Sequence, residues 1–238
     1  MKLINMGVAL LLTGTCINLS QAQTADEIIN KHIEAIGGKD KLAQLKTETV
    51  ESTTQVMGNE GPSSTTIVDG VGYKVTSEIN GQTFTTVYTD KGGWQVNPYA
   101  GATTPTALPD DLYKQGRRVL DITGPLFNYA AKGNKVELLG KEGNDYKIKV
   151  TTKDSIETTH YIDGTTYYVN KVVSSASMMG QTMEVTFKFS DYKKVDMGLI
   201  FANSIEISYG GQFNISTTIK KIEINKTIDP AIFQMPKS

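Results

Sequence analysis

The sequence is nearly free of thiols, with one cysteine, Cys16, in 238 residues. That residue lies inside an N-terminal stretch that reads as a secretory signal. Lys2 supplies the positive start, residues 6–12 a short apolar core, and Ser20-Gln21-Ala22 the small residues that a signal peptidase inspects. Cleavage after Ala22 leaves a chain that begins at Gln23 and has no cysteine. Disulfides, thiolate metal sites and cysteine nucleophiles are thereby excluded. A lipid anchor on Cys16 fits poorly with the preceding Thr13-Gly14-Thr15, so an unanchored periplasmic form is expected.

Long apolar runs are missing too. None approaches the roughly 20 residues that span a bilayer, so no transmembrane segment is expected. Arginine occurs only as the adjacent pair Arg117-Arg118, and the lysines are scattered. Removing Lys2 with the signal leaves 23 basic against 25 acidic side chains, a net charge of −2 before histidine. With no basic stripe, nucleic acid is not an expected partner. The two histidines, His32 and His160, stand too far apart for metal-ligand spacing and read as structural residues, so neither metal nor cofactor is expected.

Catalytic constellations are absent as well. Ser190-Asp191-Tyr192-Lys193 has the form S-x-x-K, but in serine acyl enzymes that serine opens a helix. Here it ends a strand pattern, where residues three apart face opposite ways. There is no nucleophile elbow, P-loop or dinucleotide fingerprint, so an enzyme is not expected. Asp26-Glu27 and Asp110-Asp111 sit at expected helix starts, where the helix dipole accounts for them. Arg117-Arg118 reads either as a solvated helix face or as a pair suited to a phosphate or an anionic headgroup. Asp154-Ser155-Ile156 matches a short sequon for bacterial O-glycosylation of exported proteins.

What is present is β texture. After a capping-box start at Thr24 and Glu27, Ile29, Ile33 and Ile36 recur at helical spacing until Gly37-Gly38 stops the helix. Runs rich in threonine, valine, isoleucine and tyrosine then predict strands near 47–57, 64–69, 71–79, 83–90 and 93–97. More follow near 135–140, 145–153, 156–162, 166–175, 181–193, 199–209 and 212–225. Asn80-Gly81 and Gly210-Gly211 mark hairpins of an up-and-down meander. Met183, Val185, Phe187 and Phe189 share one parity. A switch of parity between Ile219 and Ile222 predicts a β-bulge at Lys220-Lys221. Residues 97–106 read as a loop. An amphipathic stretch after Pro109, carrying Leu112 and Leu120, and a run from Pro125 to Ala130 predict two short inserted helices. Tyr73, Phe84, Trp94, Leu112, Leu120, Leu126 and Phe127 are the candidates to line a cavity between sheet and helices. A turn led by Pro230 closes the chain.

The helix Ala25-Asp26-Glu27-Ile28-Ile29 … Ala35-Ile36-Gly37-Gly38, the Gly93-Trp94 step, the stretch 192–207 and the ending Ile222-Glu223-Ile224-Asn225 … Ile228-Asp229 … Phe233 … Pro236 resemble the LolA/LolB-like superfamily of periplasmic lipoprotein carriers. The likeness runs over nearly all of 23–238, taken as one domain. It implies an open antiparallel half-barrel of about eleven strands, covered by an N-terminal helix and inserted lid helices. It also implies a hydrophobic cavity for a lipid or lipoprotein acyl chain. The carriers hold an arginine on an early strand against the lid; residues 47–57 have none, and both arginines of this chain lie in the inserted segment. The leading expectation is a non-catalytic periplasmic carrier or sensor of a hydrophobic ligand. The alternative is a protein-binding or regulatory module of the cell envelope that uses the 97–106 loop or an edge strand.

Overall fold

The computed structural model describes residues 23–178 and 181–236. The signal-peptide reading falls on residues 1–22, outside the described residues. The helix predicted after Thr24 is α1 (Ala25–Ala35). Thr24 Oγ1 accepts from the Glu27 N–H at 3.2 Å, and Glu27 returns a carboxylate oxygen to the Thr24 N–H at 3.0 Å. Ile28, Ile29 and Ile33 are its buried stripe, and Gly37 and Gly38 end it with φ of 129° and 91°. A single turn, α2 (Lys39–Leu42), follows.

Two meanders then build one antiparallel sheet. The first comprises β1 (Thr47–Val56), β2 (Asn59–Val68), β3 (Gly72–Ile79), β4 (Gln82–Thr89), β5 (Gly92–Asn97) and β6 (Ala102–Ala107). The second comprises β7 (Lys135–Glu142), β8 (Asp145–Thr151), β9 (Glu157–Asp163), β10 (Val169–Met178), β11 (Gln181–Lys194), β12 (Ile200–Tyr209) and β13 (Phe213–Ile224). They join where β1 pairs with β13, giving the spatial order β6-β5-β4-β3-β2-β1-β13-β12-β11-β10-β9-β8-β7. The sheet is not closed. Its described strands number thirteen rather than about eleven. One of the additions is β6, formed by residues read as loop. Asn97 caps a 3-10 turn at Pro98–Ala100, and Gly101 at φ 77° reverses the chain so that 102–107 pairs with β5.

The register follows the hydrophobic parity. Asn80-Gly81 makes the β3–β4 hairpin with both residues at positive φ, 53° and 69°. The expected bulge is present: Glu51 pairs with Lys221 while Ser52 pairs with Ile219, leaving Lys220 as the extra residue. One face runs through Tyr88, Tyr73, Ile67, Glu48, Ile224 and, further on, Ile207, Phe187, Val172 and His160. The sheet is strongly curled about this face. The Tyr209 hydroxyl on β12 adds to the raised pKa of Tyr73 on β3 and of Tyr88 on β4, four and five strands away in the ladder.

The topology dictates what covers the concave face. The chain leaves the sheet at one edge, β6, and must re-enter at the other, β7, so residues 108–134 cross the mouth. This crossover holds α3 (Asp110–Gly116) and a 3-10 turn at Arg117–Leu120. The second helix expected at 125–130 is instead a chain of turns, because Gly124 at φ 72° and Asn128 at φ 48° interrupt helical dihedrals. Lys132 organises these turns, its ammonium reaching both Asp121 carboxylate oxygens at 2.7 Å and Thr123 Oγ1 and the Gly124 carbonyl at 2.8 Å.

Two clusters form the core. The larger packs Ile28, Ile29 and Ile33 of α1, with Leu126 and Phe127 of the crossover, onto Ile148, Val150 and Ile162 of β8 and β9. The smaller lies on the convex side, where Phe233 of the C-terminal turn Pro230–Phe233 meets Val87 and Trp94. No helix among the described residues is long and apolar enough to cross a membrane.

Candidate functional site

Where α1 and the turns at 122–133 fill one end of the concave face, the middle stays open. A cavity of about 870 Å³ lies between the curled sheet and the crossover. That volume is within the ~300–1,000 Å³ common for small-molecule sites. Its sheet wall carries Phe187 and Phe189 of β11, Val172 of β10, and Thr158 and His160 of β9. Both phenylalanines are only half-buried although each points inward, so their unspent apolar surface faces the hollow. The opposite wall is the crossover, through Tyr113, Arg118, Val119 and Leu120.

The crossover is pinned at several points. The Leu120 carbonyl accepts from the Gly70 N–H at 2.8 Å, and the Tyr113 hydroxyl donates to the Thr89 carbonyl at 2.9 Å. Gly116 lies so close to Tyr88 that a β-carbon there would overlap the ring. On the far side Arg117 forms an ion pair with Asp154, at 2.9 Å, in the β8–β9 turn. Arg118 points into the hollow, where its guanidinium donates to Ser174 Oγ on β10 at 3.4 Å. The crossover therefore spans from β4 to β10.

Electrostatics inside the hollow are unusual for so apolar a wall. Arg118 is open to solvent, yet surrounding protein lowers its pKa, as expected of a cation facing a concavity rather than bulk water. Burial, with like charge from His32 and Arg118, pushes His160 down to about 3. His160 is therefore neutral, with Nε2 3.0 Å from Thr158 Oγ1. His32 is lowered by burial as well, and its Nδ1–H donates to the Tyr167 carbonyl at 2.8 Å. Further along the concave face, burial raises Glu48 to about 7 and Tyr73 to about 12.

The seven residues expected to line a cavity are distributed as follows. Leu120 and Phe127 line the hollow. Tyr73 and Phe84 share the concave face farther along, Phe84 lying against Tyr99 with ring centres 4.9 Å apart. Leu126 is buried in the α1 core, and Leu112 is exposed on α3. Trp94 is on the opposite face. It pairs with Val87, one residue out of phase with Tyr88, and its Nε1–H donates to the Phe233 carbonyl at 2.9 Å. Phe187, Phe189 and Val172 also line the wall, though the sequence pattern does not mark them as lining. The alternation around Phe187 showed an apolar face, but only the curl of the sheet brings that face opposite Arg118.

No protein-family model and no curated protein matches the sequence. Solved structures match the fold. A LolA superfamily protein from Nitrosomonas europaea is 12% identical with a TM-score of 0.57, over 90% of this chain and 98% of its own. A protein domain from Vibrio parahaemolyticus, described as outer-membrane lipoprotein-sorting, is also 12% identical, with a TM-score of 0.54 over 87% and 94%. A DUF1329 family protein from Desulfovibrio piger is 11% identical, with a TM-score of 0.54 over 90% and 98%. The fold is LolA-like.

Proposed function

We propose that this protein is an exported, non-catalytic binding protein that holds an acyl chain in the hollow between sheet and crossover, as a carrier or sensor. The observation that carries this reading is the 870 Å³ cavity itself, with the half-buried Phe187 and Phe189 on its wall. An acyl chain gains about 0.8 kcal/mol for each buried CH₂, so a dozen methylenes supply on the order of 10 kcal/mol before the cost of association is subtracted. The LolA-like fold, shared with a protein described as lipoprotein-sorting, supports the same reading.

Native mass spectrometry of protein taken from its own periplasm, followed by organic extraction, tests it. The expected result is a bound species of lipid mass that is lost on denaturation. A clean apo mass, together with no change in hydrogen exchange of the crossover on adding acyl ligands, would sink the proposal.

A further inference from the structure

The hollow is not uniformly greasy, and one of the cations on its wall, Arg118, has no obvious structural purpose. Of the two arginines, Arg117 is neutralised by Asp154 at the rim. Arg118 is not. Among the described residues no carboxylate forms an ion pair with it; the groups that act on it are Ser174, Tyr88 and His160, and none of these is a carboxylate. The Ser174 contact, at 3.4 Å, is long for a hydrogen bond and leaves most of the guanidinium's five donors free. A structural arginine facing a cavity ordinarily has a carboxylate to offset its desolvation.

The surroundings fit an anion. The cavity wall carries six lysines and arginines against four aspartates, and two of those aspartates are taken by Arg117 and Lys132. His160, on the wall opposite Arg118, is held neutral and so does not compete for a negative group by pairing with it. The apolar wall begins beside the guanidinium, with Val119 and Leu120 next in the chain and Val172 two residues before Ser174 on the same face of β10.

We propose that Arg118, steadied by its contact with Ser174, forms a headgroup subsite, so that the preferred ligand is an amphiphile with a carboxylate or phosphate at the end of its acyl chain. The inference rests on the carrier-or-sensor reading and specifies its ligand class. The planar fork of the guanidinium receives two oxygens of the headgroup, while the tail runs along Phe187 and Phe189.

The test compares dodecanoate with 1-dodecanol, and both with inorganic phosphate, at pH 8 by calorimetric titration of the wild-type chain and of Arg118→Gln and Arg118→Lys. The wild type is expected to bind the acid at least about tenfold more tightly than the alcohol, the scale of one charge-assisted contact. Arg118→Gln is expected to erase that preference while leaving the alcohol affinity within about twofold, and Arg118→Lys to keep part of it. The alcohol affinity serves as the check that the variant hollow is intact. If the variant fails to fold, the wild-type preference alone decides. Equal binding of acid and alcohol overturns the headgroup subsite and leaves the carrier reading standing. Binding of neither overturns both. Phosphate bound as tightly as the acid overturns the amphiphile and assigns the site to a free anion.

Discussion

Glu48 is a carboxyl on a concave wall of threonines, tyrosines and isoleucines, and burial raises its pKa from 4.5 to about 7. The folded chain keeps this proton where the unfolded chain releases it. Stability is therefore lost as pH rises from 4.5 through 7, by at most about 3 kcal/mol. His160 has the opposite sign. It stays neutral in the fold down to about 3, so its contribution is present above 6.5 and is lost as pH falls. Between 4.5 and 6.5 the two slopes oppose and flatten the profile. Glu48→Gln is expected to be more stable than the parent at pH 8, by on the order of 1–3 kcal/mol, and about equal to it at pH 4. Its stability should rise steeply with pH up to 6.5 and then stay level. Urea denaturation at half-unit pH steps measures this, and identical profiles for parent and variant would show that Glu48 titrates as an ordinary exposed carboxyl.

At the level of elements, the crossover is held by a close approach that only glycine permits. Gly116 sits against Tyr88 with no room for a β-carbon, at an ordinary negative φ of −86°. Gly116→Ala must then push α3 and the 3-10 turn off β4 without straining the backbone. Hydrogen exchange in 110–120 should rise at least about tenfold, with the denaturation midpoint of the sheet nearly unchanged, since local opening is separable from global unfolding. Unaltered exchange would mean that Tyr88 simply swings aside. Local chemistry made many elements legible in the sequence: the capping box of α1, the Asn80-Gly81 hairpin, the bulge at Lys220 and the closing turn at Pro230 each depend on neighbours within a few residues or on parity. The misses depend on distance. β6 is polar and proline-bearing, and becomes a strand only because β5 offers an open edge. The turns at 122–133 replace a helix because Lys132 gathers oxygens from Asp121, Thr123 and Gly124. Trp94 reads in the sequence as a candidate to line the cavity, whereas a one-residue phase difference from Tyr88 sends it to Phe233. Arg118 was visible as a possible anion contact, but its place inside the concavity follows from the strand order alone.

For the whole molecule, the consequence of that strand order is a division of labour. The two meanders hold each other through β1 and β13, paired from Glu48 with Ile224 to Val56 with Ile215. The crossover contributes no strand to the sheet, although Leu126 and Phe127 at its far end join the core. A cut in its first half should therefore leave the sheet assembled. Lys114, Arg117 and Arg118 lie there on a short helix and a 3-10 turn, whereas most other lysines sit in or beside the ladders. Limited trypsin digestion of the ligand-free chain is expected to nick first within 114–118. The two fragments should co-elute in gel filtration and keep the far-ultraviolet signature of the intact sheet. Acyl ligand in the hollow should slow that nick, because cleavage draws on the opened population and a ligand bound to the closed form depletes it by the factor 1 + [L]/Kd. Fragments that separate on nicking would mean that the crossover, and not the β1–β13 pairing, carries the connection between the halves. A nicking rate indifferent to acyl ligand would mean that the crossover does not open and close over the bound chain.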